Sequence, residues 1–333
     1  MAYTTIDDPS AYFQIALYTG TSSSVAVTNG GNSDLQPDLV WIKRRDSSAS
    51  HMALDSTRGV TKRIRPDTYE AEDTDANDFS SFNSDGFTVG TDDNANLNGN
   101  NNTYVAWQWK ANGGTRTTNT ESGNNPAGGY QANTTAGFSI VDYTGTGAAG
   151  TMAHGLGVVP KVIMVKNRSQ ATDWMVYHAS NTSAPETDNL TLNDVAGTAD
   201  NADMWNDTAP TSSVFTIGSH DRTNDDSETL VAYCWTDIQG YSKFGSYKGN
   251  GNADGPFIYL GFKPKYFLLK NATIAAGSSG QHWQVSDTER HPFNPLDATL
   301  LVESNSAEGH TWSIKDFLSN GVKIRGSNYA MNQ

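Results

Sequence analysis

The chain has 333 residues, which allows two or three domains, each large enough to bury its own core. It carries 22 Lys and Arg against 36 Asp and Glu, a formal charge of −14, which argues against nucleic acid and anionic membranes as partners. The single cysteine, Cys234, excludes an internal disulfide framework and lies in an apolar run typical of a buried position. No apolar run is long enough for a membrane helix, and residues 1–10 lack the features of a signal peptide.

The chain repeats one series of predicted strands three times. Aromatic segments that end in Tyr-x-Gly open the repeats at residues 13–20, 138–145 and 244–249. Apolar strands that run from a Pro to a Lys follow at Pro37–Lys43, Pro160–Lys166 and Pro264–Lys270. Third strands are predicted at 51–55, 174–178 and 283–287, and fourth strands at 86–90, 214–218 and 321–325. Last strands are predicted at Thr103–Trp109 and Thr229–Trp235.

Short strands separated by polar loops predict an all-β protein of three tandem β-sandwich or jelly-roll units. We place repeat 1 at residues 1–111, repeat 2 at 137–238 and repeat 3 at 239–333. Residues 112–136 are rich in Gly, Thr and Asn and are predicted to be a linker. We expect domains in series, with repeats 2 and 3 packed as one rigid body because no linker separates them.

The strand that follows each Pro is apolar on both faces, which predicts that it is covered on both sides. We therefore expect six of its side chains in cores: Val40, Ile42, Val162, Met164, Phe267 and Leu269.

Repeat 3 lacks a counterpart of the last strand. The spacing in repeats 1 and 2 predicts that this strand begins near residue 332, and the sequence reaches Gln333. We therefore expect an open sheet edge in repeat 3. Two explanations stay open: a natural chain that continues, or a strand that another polypeptide donates.

Longer blocks resemble a family of virion proteins from marine tailed bacteriophages: Met1–Ile6, Gly155–Lys161, Trp205–Ser213, Gly240–Gly251 and Leu318–Gly321. The resemblance covers nearly the whole chain. It implies a repeated concanavalin-like sandwich that serves as a tail-fibre or other structural protein, on a tail, fibre or capsid surface of the virion. It also implies other virion proteins as partners, a homo-oligomer with a trimer as the expected state, and synthesis in the host cytoplasm. It supplies no catalytic residues.

Two acidic or amide-rich loops begin like calcium loops, at Asp73-x-Asp75-x-Asn77 and at Asn94-x-Asn96-x-Asn98-Gly99. Neither loop has the acidic residue that closes an EF-hand. We therefore interpret both loops as solvated turns and expect no cofactor, with a looser calcium site as the alternative. The seven histidines show no zinc-ligand spacing.

Asp55–Arg58 and Asp287–Arg290 recur after the third strand, while repeat 2 has His178 and Asn181 there. We interpret them as structural ion pairs, with a sugar contact as the alternative. Trp205 and Trp312 lie outside the shared strands and are candidates for an exposed platform that stacks on sugars. The preferred function is a non-enzymatic virion structural protein. The alternatives are a host-glycan-binding adhesin of the same virion and a glycan-degrading enzyme.

Overall fold

A computed structural model describes residues 4–91, 95–273, 281–309 and 311–333. The protein is 36% strand and 3% helix with several antiparallel sheets, which confirms the predicted all-β class. In the described residues, helix is confined to a 3-10 turn at Pro9–Ala11 and single α turns at Ala202–Trp205 (α1) and Asp221–Asn224 (α2). None of these helices is long and apolar enough to cross a membrane.

Repeat 1 contains two main sheets. Its strands are β1 (Phe13–Thr19), β2 (Val25–Val27), β3 (Leu39–Arg44), β4 (Met52–Asp55), β5 (Lys62–Arg63), β6 (Asp73–Thr74), β7 (Phe79–Phe82), β8 (Phe87–Val89) and β9 (Thr103–Trp109). One sheet has the order β1-β9-β3-β4 and the other β2-β8-β7, while β5 and β6 form a separate ribbon.

Repeat 2 is larger, and it includes part of the predicted linker. Its strands are β10 (Thr117–Asn119), β11 (Gly128–Asn133), β12 (Phe138–Thr144), β13 (Gly150–Ala153), β14 (Val162–Asn167), β15 (Met175–His178), β16 (Asp188–Thr191), β17 (Ala199–Asp200), β18 (Val214–Ile217) and β19 (Thr229–Trp235). The large sheet has the order β10-β11-β12-β19-β14-β15-β16-β17, and β13 pairs with β18.

The predicted linker at 112–136 therefore contains two strands of the large sheet, β10 and β11. The glycine content that suggested flexibility has a packing role, because a side chain at Gly128 would lie 2.1 Å from the Asp142 carbonyl oxygen. Gln131 of β11 is buried and donates to the hydroxyls of Ser56 and Thr57. This contact fastens the segment to repeat 1.

Repeat 3 contains β20 (Phe257–Tyr259), β21 (Tyr266–Lys270), β22 (Trp283–Asp287), β23 (Leu300–Leu301), β24 (Lys315–Leu318) and β25 (Gly321–Ile324). Its two sheets have the orders β21-β22-β23 and β20-β25-β24. The aromatic segment 244–249, which we predicted as a strand, is not one.

The strands after the three prolines are equivalent, as the repeat predicts. β3, β14 and β21 each begin two residues after the Pro, at Leu39, Val162 and Tyr266. These first residues pair with Asp55, His178 and Asp287 respectively. The last strands also share one register, because Leu39 pairs with Trp109 and Val162 pairs with Trp235.

Each repeat has an outer core between its two sheets. Successive side chains of a strand point to opposite faces, so β3 sends Val40 and Ile42 into the outer core and Leu39 and Trp41 to the other side. Five of the six predicted core residues are buried, and Phe267 is half-buried against the outer core of repeat 3.

The opposite faces of the three main sheets meet in a common core. This cluster takes residues from every repeat, among them Trp107 of repeat 1, Met164 of repeat 2 and Val285 of repeat 3. We expected domains in series, but the three repeats instead pack around one common core. A strand that is apolar on both faces needs such a second core.

The predicted open edge is present in repeat 3. β3 and β14 each lie between two strands, whereas β21 pairs only with β22 among the described residues. The predicted start of the missing strand near residue 332 is wrong, because Asn332 is the buried counterpart of Asn98 and Asn224, as described below. The last strands of repeats 1 and 2 begin at the fifth residue after those asparagines. Segment 244–249 likewise pairs with no strand among the described residues.

Candidate functional site

The buried Asp55–Arg58 pair lies where repeat 1 meets repeat 2. The Arg58 Nε donates to Asp55 Oδ2 at 2.5 Å, and both side chains are 0% exposed. The Tyr233 hydroxyl of repeat 2 donates to the same carboxylate oxygen at 2.6 Å. The backbone N–H groups of Thr57 and Arg58 donate to Asp55 Oδ1, so the carboxylate is fully satisfied.

Repeat 3 makes the same contact with repeat 1. The Arg290 Nε donates to Asp287 Oδ2 at 2.6 Å, again with both side chains 0% exposed. The indole Nε1 of Trp107 donates to that carboxylate oxygen at 3.0 Å. Trp107 and Tyr233 hold equivalent positions in the last strands, since they pair with Trp41 and Met164. The two interfaces are therefore built from equivalent residues.

A glutamate joins each pair to an arginine of the next repeat. Glu72 accepts from Arg58 at 3.1 Å and from Nε and Nη2 of Arg168 at 2.8 and 2.9 Å. Glu308 accepts from Arg290 at 3.3 Å and from Arg45 at 2.6 Å. Although burial raises the pKa of Glu72, the hydrogen bond from Arg168 and the charge of Arg58 hold it below its usual value.

The third interface, between repeats 2 and 3, keeps the backbone of this arrangement without its charges. The N–H of Glu72 donates to Arg168 O at 2.8 Å, and the equivalent bond from Thr198 to Ala272 O is 2.9 Å. Thr198 thus occupies the glutamate position and Ala272 the arginine position. Asn181, which stands in place of Arg58, accepts from the Thr198 hydroxyl.

Side chains at two further positions contact the neighbouring repeat across each interface, in the same direction as Tyr233 and Trp107. At the start of the third strand, a ring nitrogen bonds to a carbonyl of the neighbouring repeat in three equivalent contacts: His51 to Leu301 O, Trp174 to Arg65 O and Trp283 to Thr191 O. The equivalent lysines at or next to the ends of β3, β14 and β21 also bond across the interfaces: Lys43 to Asn305 O, Lys166 to Tyr69 O and Lys270 to Asp194 O. The contacts follow one cyclic order, so the repeats are related by an approximate threefold arrangement.

Burial alters the titration of these groups. Removal from water lowers the pKa of Lys43, Lys166 and Lys270 to about 8. Burial, together with the charge of Lys43, lowers the pKa of His51 well below its usual value. His51 Nδ1 accepts from Trp41 Nε1, so the neutral imidazole with its proton on Nε2 satisfies both contacts. We call the full set of contacts the inter-repeat network.

A second repeated feature is a buried asparagine at equivalent positions in the three repeats. In repeats 1 and 2 this asparagine precedes the last strand. Asn98, Asn224 and Asn332 each donate two side-chain hydrogen bonds, to the carbonyls of Gly90, Gly218 and Gly326 and to those of Ser23, Ala148 and Asn252. Their Oδ1 atoms accept from the N–H groups of Thr21, Thr146 and Asn250. Each amide therefore brackets two loops of its own repeat.

The structure places most of the predicted sugar-contact residues inside the protein. Asp55, Arg58, Asp287 and Arg290 are buried in the inter-repeat network, which confirms the ion-pair interpretation. Trp205 is 2% exposed and donates to the Asp188 carbonyl, so the prediction that it forms an exposed platform is wrong. A one-turn helix, α1, turns its indole into the core of repeat 2. Trp312 is half-buried, with its ring 5.9 Å from that of His282.

The loops with calcium-like patterns are held by protein contacts. Asp73 pairs with Arg63 and Arg65 at 2.6 Å, and Asp75 pairs with Arg63 at 3.3 Å. In the second loop, Asn98 forms the bracket described above, and Asn94 lies outside the described residues. The described residues contain no group of three or more His, Cys, Asp or Glu side chains placed to hold a metal ion.

Cys234 is buried, as its apolar run predicts. Its side chain is 0% exposed, and burial raises the pKa of the thiol to about 12. A thiol with so high a pKa carries little of the reactive thiolate at neutral pH.

Sequence reasoning missed Glu72, Glu308 and two bracket asparagines, Asn224 and Asn332, and it assigned the third, Asn98, to a calcium-like loop. Glu72 and Glu308 each lie seven residues after the residue whose carbonyl accepts the ring-nitrogen bond, Arg65 and Leu301. Because this reference residue is known only from the structure, the sequence alone offered no signal for the two glutamates. The asparagines had none, because asparagine is abundant in every loop of this chain.

The comparisons with known proteins identify a family and no characterised relative. Residues 8–333 match the family described as Domain of unknown function (DUF7483). No curated protein and no solved structure matches the chain. Since the match spans nearly the whole sequence, the chain belongs to the DUF7483 family.

Proposed function

We propose that this protein is a non-enzymatic structural protein of a bacteriophage particle, located on a tail, fibre or capsid surface. The observation that carries the proposal is the inter-repeat network, which locks three copies of one unit around a common core. The ionisable residues that repeat between copies are engaged in these contacts, with side chains such as Arg58 and Arg290 at 0% exposure. A rigid body of this kind suits a role in assembly. The assignment to a bacteriophage particle comes from the sequence resemblance.

We also infer that each repeat is a sandwich-type unit of the concanavalin-like kind. Support comes from the outer cores, which join a main sheet to a second sheet in repeat 1 (β3 with β8), repeat 2 (β14 with β18) and repeat 3 (β21 with β25). The two-sheet organisation with a shared interior is what such a unit requires.

Within one chain, the three repeats already have an approximate threefold arrangement. A homotrimer stays a prediction. Light scattering on the purified protein measures the oligomeric state directly. A trimer mass would mean that three chains, each with three repeats, assemble together.

The host-glycan adhesin stays an alternative with less support, because five of its six proposed contact residues are buried. Binding to a polysaccharide array without release of reducing sugar would favour it. Release of reducing sugar by the purified protein would favour an enzyme and would contradict the proposal.

Immunoelectron microscopy tests the structural role. Antibodies raised against the recombinant protein are applied to purified particles of a phage that encodes this chain. We expect labelling at a fixed place on every particle, with the same density after washing in high salt. Recovery of the protein only in the soluble fraction of the lysate would contradict a structural role.

A further inference from the structure

Repeat 3 carries a lysine where the other two repeats carry a buried aromatic residue. The equivalent position is defined by a backbone hydrogen bond beside each outer core, which runs from Gly90 to Asp78 O, from Gly218 to Met204 O and from Arg325 to Ile314 O. The residue after each of these carbonyls is Phe79 in repeat 1, Trp205 in repeat 2 and Lys315 in repeat 3. All three side chains are at most 2% exposed. An amine therefore occupies a position at which an aromatic ring fills the core elsewhere.

The facing sheet of repeat 3 differs in the same way. In repeats 1 and 2, the third strand points apolar side chains into the outer core: Met52 and Leu54 from β4, and Met175 and Tyr177 from β15. The register of the third strands makes Gln284 and Ser286 of β22 their equivalents. Both are buried. Polar residues thus replace apolar ones on both sides of one outer core.

The contacts of Lys315 fit a neutral amine. Its Nζ donates to Ser286 Oγ at 2.8 Å and to Ser313 Oγ at 2.9 Å. Ser313 in turn donates to Gln284 Oε1, and Gln284 Nε2 donates to the Ala330 carbonyl at 3.1 Å. A neutral amine has two N–H groups, and both have an acceptor here. An ammonium has three, and the third finds no acceptor among the described residues.

The charges around Lys315 do not compensate a protonated amine. Among the described residues, no carboxylate forms an ion pair with it. The charged side chains of the surrounding elements are engaged elsewhere: Asp287 with Arg290, Asp316 with Arg325, Asp254 with Lys323 and Asp297 with His291. The Tyr247 hydroxyl, also beside this core, donates to the Met331 carbonyl. Burial, together with the positive charge of Arg290, lowers the pKa of Lys315 to about 7.

We propose that Lys315 makes the contact between the two sheets of repeat 3 dependent on pH, with a neutral amine in the closed outer core and a protonated one when β24 and β25 separate locally from β22. The rest of the protein stays folded, because Phe79 and Trp205 place no amine at this position in the other two outer cores. This inference goes beyond the proposed function and does not depend on it.

The direction of the effect follows from the proton balance. In the open outer core, the amine faces water and has its ordinary pKa of about 10.4. Between about pH 10 and pH 7, the open state therefore binds more protons than the closed state, so opening becomes more favourable as the pH falls. With a closed-state pKa of about 7, the opening equilibrium constant should rise about fiftyfold from pH 9 to pH 7. Below about pH 6 both states are protonated, and the dependence ends.

The first test follows the amine itself. Nuclear magnetic resonance of protein whose lysines are labelled with ¹³C at Cε reports the protonation of each lysine, and Lys315→Met identifies the Lys315 signal by its loss. We expect this signal to titrate near pH 7 in the folded protein. A Lys315 amine that stays protonated up to pH 9 would contradict the proposal.

Hydrogen exchange measures the opening at matched amides. The Arg325 amide reports on repeat 3, and those of Gly90 and Gly218 make the equivalent bond in repeats 1 and 2. After correction for intrinsic exchange rates, we expect the protection factor of Arg325 to be about fiftyfold lower at pH 7 than at pH 9. At pH 7 it should also lie below the protection factors of Gly90 and Gly218.

Two variants supply matched controls. The triple variant Gln284→Met, Ser286→Leu, Lys315→Phe gives repeat 3 the side chains of repeat 1, and the single variant Lys315→Met removes only the amine. In both variants, Arg325 should have about the same protection factor at pH 7 and at pH 9. The single variant keeps the comparison available if the larger ring of the triple variant prevents folding.

Three exchange results would overturn the proposal. The first is equal protection of Arg325 at the two pH values in the wild type, and the second is the same pH dependence in the wild type and in Lys315→Met. The third is exchange of Arg325 in step with Gly90 and Gly218 at both pH values. It would mean that the outer core of repeat 3 opens only when the whole protein unfolds.

Discussion

The substitution Arg58→Met tests whether the inter-repeat network holds the repeats together. Methionine keeps much of the unbranched apolar stem and removes the guanidinium. The removed group donates to Asp55, Glu72, the Ala53 carbonyl and the Tyr233 hydroxyl at 2.5 to 3.3 Å. The substitution therefore leaves a buried carboxylate without its cation.

The magnitude follows from the burial of the pair. Removal of one partner from a buried ion pair costs about 3–5 kcal/mol, because the remaining charge is uncompensated. Asp55 keeps two backbone donors and the Tyr233 hydroxyl, and Glu72 keeps Arg168, so we expect a value near the lower end, about 3 kcal/mol. Arg290→Met should have a similar effect, since Asp287 and Glu308 surround it in the same way.

Two controls separate the network from general loss of charge. Arg116 forms a bidentate pair with Asp142 but is 33% exposed, so Arg116→Met should change the free energy of unfolding by about 0–1 kcal/mol. The double variant Asp55→His, Arg58→Asn introduces the pair that repeat 2 carries. It should be more stable than Arg58→Met alone, because no unpaired carboxylate remains at position 55.

Urea unfolding at pH 7, followed by tryptophan fluorescence and by far-ultraviolet circular dichroism, measures these differences. An Arg58→Met variant that is within about 1 kcal/mol of both the wild type and Arg116→Met would refute the reasoning, since the network would then contribute no more than a surface pair. Equal stability of the Arg58→Met single variant and the double variant would also count against it.

Three further predictions concern other parts of the structure. Asn224→Ala should lower the free energy of unfolding by about 2–4 kcal/mol, because it leaves the carbonyls of Gly218 and Ala148 without donors, whereas Asn100→Ala, at an exposed position, should have little effect in the same urea titration. Met164→Ala should cost about 2–5 kcal/mol through a cavity in the common core, and unchanged thermal unfolding would contradict its burial. Burial lowers the pKa of Lys315 to about 7, so the unfolded chain binds one more proton there between about pH 7 and 10 and stability should rise with pH across that range. Lys315→Met should reduce this rise by up to about 1.4 kcal/mol per pH unit, and parallel pH profiles of the two proteins would contradict the buried amine.

Local patterns in the sequence were sufficient to predict the strands and their equivalence. A Pro at the first position and an apolar run to a Lys define β3, β14 and β21, because such a run only forms where both faces are covered. The Asp–Arg spacing was sufficient to predict an ion pair. The unpaired edge of β21 among the described residues was also predicted, since a count of strands per repeat needs no knowledge of packing.

What could not be predicted is the part that depends on distant contacts. Nothing in the spacing of Asp55 and Arg58 shows that their hydroxyl partner is Tyr233, in another repeat. Gly128 and Gly129 lie in the segment predicted to be a linker, yet they permit close backbone approach in a sheet. Trp205 was judged exposed because it lies outside the shared strands, but a polar loop that carries one helical turn places it in a core.

The unequal interfaces also explain how one chain selects a single cyclic order of its repeats. In the observed order, Glu72 faces Arg168, Glu308 faces Arg45, and the uncharged Thr198 faces Ala272. In the reverse order, Glu308 would still face Arg168, but Glu72 would face Ala272, and Arg45 would face Thr198. Each lost charge-assisted hydrogen bond costs about 1.5–3 kcal/mol, and both lost partners would be largely buried. A fully symmetric network would have made the two orders equal in energy. The absence of a Glu–Arg pair at the third interface therefore contributes to specificity, because it gives each repeat one place in the ring.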